Sequence, residues 1–180
     1  MHPTRYVIDR THGLRNLETL HDNVFWGGAE PRISICVPTL RHDVTPLLEG
    51  LAQCEAREAI EIIVYDDGSR DHDLLARMQA SAGHAGAAVL IVSAHNNRGR
   101  AAARNAAIAH ARADWVLLVD ADMTPDTPVF LQAYLDAIDR AGGPAIIVGG
   151  YSLLSAPNDR TYALHRWQAR MSECIPVEER

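Results

Sequence analysis

The sequence predicts a doubly wound α/β fold: a mainly parallel sheet in the middle layer with helices on both faces. Three observations carry that expectation. Five short apolar runs rich in β-branched residues recur from residue 33 onward. They do not alternate polar and apolar side chains, which suits strands buried on both faces of a parallel sheet. Between the runs lie segments with helical spacing and start signals, and strand–helix alternation of this kind builds open α/β sheets.

The runs are ISICV (33–37), IEIIVY (60–65), AVLIV (88–92), DWVLLV (114–119) and AIIVGGY (145–151). After the first, Thr45-Pro46 offers a cap and a first-turn proline ahead of Leu47, Leu48, Leu51 and Cys54. Asp71 can cap a helix carrying Leu74, Leu75 and Met78. Residues 99–113 are rich in alanine, the strongest helix former. Thr124-Pro125 opens a further helix with Phe130, Tyr134 and Ile138 at four-residue spacing, and Gly142-Gly143 ends it. Residues 1–32 are polar and read as an N-terminal extension packed on the core. Within them His2, His12 and His21 lack ligand spacing and read as surface histidines. Residues 157–180 read as a C-terminal helical tail, in which Asn158 or Asp159 caps a helix burying Leu164, Trp167, Met171 and Cys174 before Pro176.

Composition excludes several chemistries. All 17 basic residues are arginine, so there is no Schiff-base lysine and no phosphate loop ending in Gly-Lys-Ser/Thr. A phospho-receiver domain, which sets a lysine beside its acids, is excluded for the same reason. The net charge of −6, with no concentrated basic segment, argues against a nucleic-acid partner. Cys36, Cys54 and Cys174 form no Cys-x-x-Cys pair, which argues against a disulfide framework or zinc site, and Cys36 reads as a core residue. No run reaches the ~20 apolar residues of a membrane span. The N-terminus also lacks a signal-peptide stretch, so the expected compartment is cytoplasmic, with peripheral attachment to a membrane left open.

Open α/β sheets bind ligands beyond the carboxyl ends of their strands. Here those ends carry Pro38-Thr39, Asp66-Asp67-Gly68-Ser69, His95-Asn96-Asn97-Arg98-Gly99 and Asp120-Ala121-Asp122. Read alone, Asp66-Asp67-Gly68-Ser69 is a strand exit with a glycine turn and a helix cap. Read together with the others, either carboxylate can accept from a ribose hydroxyl or a base N–H. No Gly-x-Gly-x-x-Gly follows any strand, which disfavours a dinucleotide-binding oxidoreductase. Gly99 lets the chain turn into a helix whose N-terminus favours anions. Arg100 and Arg104 are one helical turn apart and can both approach such an anion, or can simply be solvated. Asp120 and Asp122 face one side of an extended segment, and a divalent cation such as Mg2+ or Mn2+ would relieve their repulsion. The alternative is that Asp120 ends the strand and Asp122 or Thr124 caps the next helix.

The four segments ISICVPT (33–39), IEIIVYDDGSRD (60–71), NNRGRAAARNAAIAHA (96–111) and WVLLVDADMTPD (115–126) together resemble the family 2 glycosyltransferases. The resemblance covers residues 33–151 and implies the GT-A fold, a three-layer Rossmann-like sheet, with a nucleotide-sugar-binding domain over 33–156. It implies a nucleotide-sugar donor, expected to be UDP-linked, and Mg2+ or Mn2+ on its diphosphate. Pro38, Thr39 and Asp67 would line the base and ribose pocket, with Asp66 beside it. Asn96, Gly99 and Arg104, with Arg100 next to them, would border the nucleotide. Asp120 and Asp122 look like the family's Asp-x-Asp, Asp122 being the more direct metal ligand.

Inverting transfer to an acceptor hydroxyl also needs a general base. Family members carry an acid well after the Asp-x-Asp, often in a Glu-Asp pair. This chain has no Glu-Asp dipeptide, and beyond residue 141 its acids are Asp159, Glu173, Glu178 and Glu179. None sits in such a motif, so no base is assigned and the acceptor part is expected to be short or absent. The competing expectation is a non-catalytic or fragmentary nucleotide-binding or assembly domain of the same fold. The acceptor (glycan, lipid or protein) is unspecified, and assembly into homo-oligomers is left open.

Overall fold

A computed structural model describes residues 5–9, 16–153, 159–172 and 174. The chain divides into two compact units, Met1–Gln132 and Ala133–Arg180. The first unit holds a six-stranded sheet in the order β1-β2-β5-β4-β3-β6. Its strands are β1 (Arg5–Asp9), β2 (Asn16–Asp22), β3 (Ile33–Thr39), β4 (Ile60–Asp66), β5 (Ala88–Ala94) and β6 (Trp115–Leu118). The four strands from β3 onward pair in parallel, as the unalternating apolar runs predict. Their register aligns Thr39 with Asp66, Asp66 with Ser93 and Cys36 with Leu118, so their carboxyl ends finish along one edge.

Burial on both faces explains why these runs are apolar throughout. Every residue of β4 is buried. On one face Cys36, Ile63, Tyr65, Leu90 and Val92 cluster with Ala103 and Ala107 of α3 (Arg100–Ala109). Alanines on that helix face let its backbone come close to the sheet. Alternation turns Ile35, Val37, Ile62, Val64, Val89 and Ile91 to the other face, all of them buried. There α2 (His72–His84) packs on β5, and α1 (Thr45–Ala52) packs on α2. Asp71 caps α2 as expected, accepting from the Leu74 amide at 2.9 Å.

Buried charge ties the amino end of the sheet. Glu61 on β4 is fully buried and accepts from the Ser34 hydroxyl (2.6 Å), the Arg112 amide (2.7 Å) and Arg112 Nε (2.6 Å). The Arg112 guanidinium lies 3.9 Å from the centre of the Trp26 ring and donates to the Trp26 carbonyl. A carboxylate taken out of water is tolerated only when its lone pairs are met in this way.

Several expectations are corrected. Residues 1–32 do more than pack on the core: β1 pairs antiparallel with β2, and β2 pairs antiparallel with β5, which extends the sheet. His21 lies on β2 and is half-buried, and burial, partly opposed by Asp22, lowers its imidazole from the ordinary value. His2, His12, Asn158, Glu173, Pro176, Glu178 and Glu179 lie outside the described residues. Thr45 does not cap α1. It is the first helical residue, and Asp43 takes its amide at 3.0 Å. Pro125 starts no helix; α4 begins at Phe130 and runs to Ala141, and the boundary between the units falls within it. Gly142, with φ 63°, follows its last residue.

Residues 145–151 form no strand. An extended run becomes a strand only by pairing its backbone in a ladder, and this one joins no sheet among the described residues. Ile146 is 94% exposed. The helix in the tail is present as α5 (Ala163–Ser172), but Leu164, Trp167 and Met171 are exposed instead of buried, and Cys174 is half-buried. Asp159 accepts from the amides of Thr161 and Tyr162 in the turn before it.

Replacing Glu61 by alanine leaves the Arg112 cation and the Ser34 hydroxyl without their acceptor. Because Arg112 is partly exposed, the expected loss of unfolding free energy is about 3 kcal/mol, the low end for a broken buried pair. Urea denaturation checks it.

Candidate functional site

The carboxyl edge of the sheet opens into a cleft of about 380 Å3. Pro38, Thr39, Leu40 and His42 line it from the end of β3, and Asp67 from the end of β4. Asn97, Gly99, Arg100 and Ala103 line it from the start of α3, and Asp120, Ala121 and Asp122 from the segment after β6. Four strand ends with separate sequence motifs thus meet in one place, all within the first unit.

Local geometry explains how they meet. Asp67 is buried, and its amide donates to the Thr39 carbonyl at 2.9 Å. Its carboxylate accepts from the Arg98 amide at 3.0 and 3.1 Å and from the Gly99 amide at 2.8 Å. Gly68 takes φ 85°, and a Cβ there would lie 2.7 Å from the Asn97 nitrogen, so the two loops touch backbone to backbone. No side chain other than hydrogen fits that contact, and L-residues resist that φ. Asp66 is a structural turn residue, accepting from the Ser69 amide at 3.1 Å and from the Ser69 hydroxyl. Burial raises its carboxyl above the ordinary aspartate value, and the Ser69 hydrogen bonds offset only part of that.

The two arginines of α3 face inward. Arg100 Nη2 donates to Asp120 Oδ2 at 2.5 Å and Arg104 Nη2 to Asp120 Oδ1 at 2.7 Å. Burial pushes the Asp120 carboxyl up, but the hydrogen bonds and charges of the two guanidiniums more than reverse this and hold it below its ordinary value. The expected repulsion between Asp120 and Asp122 is therefore already relieved by cations from the protein. Asp122 is exposed in the cleft wall.

Most of the expected site residues come together here. Pro38, Thr39, Asp67, Gly99, Arg100, Asp120 and Asp122 line the cleft, and Arg104 stands behind Asp120. Asp66 and Asn96 do not line it: Asp66 holds the turn, and the Asn96 side chain accepts from Arg70 at 3.2 Å. Asn97 occupies the wall instead, its Oδ1 accepting from the Gly99 amide at 3.0 Å. The sequence reading missed Leu40 and His42. Their signal was proximity, since they directly follow Pro38-Thr39. The Thr39 hydroxyl donates to the His42 carbonyl at 3.0 Å, folding the loop back over the strand end.

A mixed, mainly parallel α/β sheet with a ligand-sized cleft at the carboxyl edge of its parallel strands is the architecture of a GT-A glycosyltransferase. The fold is shared with S. aureus TarS residues 1–349, with a TM-score of 0.52 at 23% identity over 68% of this chain and 42% of that one. The sequence model of glycosyl transferase family 2 matches residues 34–174, and the chain belongs to that family. It is also similar to a Pyrobaculum calidifontis mannosyltransferase solved with GDP-Man and Mn2+, at 25% identity and TM-score 0.51 over 60% of this chain and 32% of that one. TarS in complex with UDP-GlcNAc matches at 26% identity and TM-score 0.50, over 61% of this chain and 31% of that one. Among curated proteins, an undecaprenyl-phosphate 4-deoxy-4-formamido-L-arabinose transferase of Pseudomonas paraeruginosa is 31% identical over 144 residues, 77% of this chain. The chain spans 40% of that relative's length. No helix among the described residues is long and apolar enough to cross a membrane.

A carboxyl whose folded-state value is depressed contributes stability that is present above its unfolded value and lost as pH falls through the folded one. Asp120 is expected to titrate below the ordinary aspartate value of about 3.9, and Arg104→Ala to move its midpoint back upward. Asp66 is expected above that value; its linkage has the opposite sign, and its contribution is lost as pH rises. Carboxyl-carbon NMR titration reads both.

Proposed function

We propose that this chain binds the diphosphate sugar donor of a glycosyltransferase, a UDP-sugar first among the candidates, for inverting transfer to an acceptor hydroxyl. The observation that carries the reading is the single cleft lined by all four strand-end motifs in a chain of this family. In this reading Pro38, Thr39 and Asp67 form the end for base and ribose, with Asn97 in the position expected of Asn96. Asp120, Asp122 and Arg100 form the end for the diphosphate. UDP as the nucleotide is supported by the likeness to TarS with UDP-GlcNAc, and GDP is the alternative from the mannosyltransferase. The relatives named for undecaprenyl phosphate make a polyprenyl phosphate the first acceptor to try beside glycans and proteins.

The cleft residues fit a hard divalent cation, Mg2+ or Mn2+. Such ions take one or two carboxylates together with substrate phosphates and water. Asp122 would be the protein ligand, because both oxygens of Asp120 already accept from arginine. When bound, the cation supplies Lewis-acid stabilisation of the charge growing on the departing diphosphate. Arg100 and Arg104 keep Asp120 ionised and fixed at the cleft wall. Arg100 is partly exposed there and can also approach the diphosphate itself.

A second reading, a donor-binding portion that does not turn over alone, is favoured by one observation. Among the described residues, the acids lining the cleft are Asp67, Asp120 and Asp122. The first two are already hydrogen-bonded, and the third is the proposed metal ligand. No further acid lines the cleft to take the acceptor's proton.

Isothermal titration with UDP is expected to show binding that Mn2+ strengthens, and Asp122→Asn should weaken the Mn2+-dependent binding by about tenfold or more, one lost charged ligand contact. Absence of UDP and GDP binding, with or without metal, would overturn the donor reading. Hydrolysis or transfer of the donor sugar by the 180-residue chain would exclude the second one.

A further inference from the structure

Arg100 and Arg104 share Asp120, but the two arginines are not equivalent. The Arg104 side chain is 35% exposed, and its Nε is buried with no hydrogen-bond partner among the described residues. It is packed in place behind the cleft wall. The Arg100 side chain is 66% exposed, lines the cleft and reaches Asp120 Oδ2 with Nη2. A guanidinium carries more donors than one oxygen can use, so Arg100 has capacity left for another partner. Its charge also acts on Asp122. An ion pair this exposed is held weakly and is cheap to break. Among the described residues no three His, Cys, Asp or Glu side chains converge so as to hold a metal ion, so a cation here needs ligands from the diphosphate.

We propose that Arg100 is an exchangeable counter-ion: it holds Asp120 Oδ2 until a diphosphate arrives and then passes to the phosphate oxygens, while Arg104 keeps Oδ1. This rests on the donor reading and adds a role for Arg100 to it. A guanidinium fork matches phosphate oxygens, and a charged hydrogen bond to them is stronger than the exposed pair it replaces. Each move then helps the other. Arg100 offsets charge on the diphosphate, and Asp120 Oδ2 is released beside Asp122, where a divalent cation takes one or two carboxylates. Before the exchange, Arg100 stands where it opposes the cation. The metal and the nucleotide are therefore expected to bind weakly one at a time and tightly together.

The test is Mn2+ binding to the full chain, read from the electron paramagnetic resonance of the free ion, alone and with saturating UDP. Arg100→Gln should bind Mn2+ alone about tenfold more tightly, because a nearby positive charge is gone. It should bind UDP alone about tenfold more weakly, because a charged hydrogen bond is lost. A gain in metal binding is a result that damage to the fold does not produce. The coupling between the ligands separates exchange from a fixed charge. In wild type, UDP tightens Mn2+ binding partly by clearing Asp120, and the factor is the same read in either direction. Arg100→Gln should lower that factor by about tenfold. An Arg100 that stays on Asp120 leaves the factor unchanged, and that result, or Mn2+ binding no tighter in the variant, sinks the exchange. Arg57→Gln removes a positive charge before β4, at the other end of the strands, and should change none of these values. An equal change there would reveal a general charge effect and count against the exchange as well. Inorganic pyrophosphate in place of UDP keeps the two readings apart. Coupled binding of Mn2+ and pyrophosphate, without binding of UDP or GDP, would remove the donor reading and support the exchange. No coupling with UDP, GDP or pyrophosphate would remove the exchange.

Discussion

The buried carboxylate of Asp67 is the junction on which the site depends. It follows β4, takes the amides of Arg98 and Gly99 after β5, and its own amide reaches the carbonyl of Thr39 at the end of β3. Three strand ends are thereby fixed to one another by one residue. The arrangement is favourable because a buried anion needs several donors, and the N-terminus of α3 supplies them with its dipole pointing the right way. Part of the anion-binding capacity of that helix is therefore spent inside the protein. Gly68 completes the junction by letting the two loops approach without a side chain between them.

Once α3 is held there, its first two turns decide the rest. Arg100 and Arg104 are a helical turn apart, so both reach across to the segment after β6 and grip the two oxygens of Asp120. A salt bridge this exposed on the Arg100 side adds little stability by itself. Its consequence is positional: Asp120 stays ionised and pointed at the cleft, and Asp122 is left to face solvent. The sheet supplies the other half of the positioning through its register, since Cys36 of β3 pairs with Leu118 of β6 and brings that acidic segment beside the β3 loop.

The parallel strands were legible because burial on both faces leaves an unbroken apolar run, a pattern that survives in one dimension. The same pattern misled at 145–151, where composition favours a strand but pairing requires a partner that composition cannot show. The reverse holds for β2. Its polar residues hide a strand, and its buried Glu18 is acceptable because the Tyr65 hydroxyl donates to it at 2.7 Å from β4 and His110 Nε2 lies 3.3 Å from its other oxygen, both far away in sequence. The site followed the same rule. Which segments converge could be read, because strand ends of a parallel sheet share an edge. Which groups satisfy one another could not: Asp67 with 98–99, Asn96 with Arg70 and Asp120 with the two arginines are pairings made by the tertiary fold. In the tail, the helix was legible from spacing, but the direction of its apolar stripe was not.

The charge balance of the cleft bears on what it can hold. Asp67, Asp120 and Asp122 line it, against Arg100 in the wall and Arg104 behind Asp120. Asp67 is met by backbone amides and Asp120 by both guanidiniums, and the charge of Arg100 also acts on Asp122, which stands exposed at the mouth. A diphosphate brought there alone would add its negative charge to a wall in which two arginines do no more than balance Asp120 and Asp122, and like charges at a few ångströms cost several kcal/mol at an effective dielectric of about 20. A divalent cation held by Asp122 would reverse the sign of that interaction. The proposed metal requirement thus rests on the added charge of the diphosphate at a wall that is already balanced, and less on the repulsion between the two aspartates, which Arg100 and Arg104 have already removed.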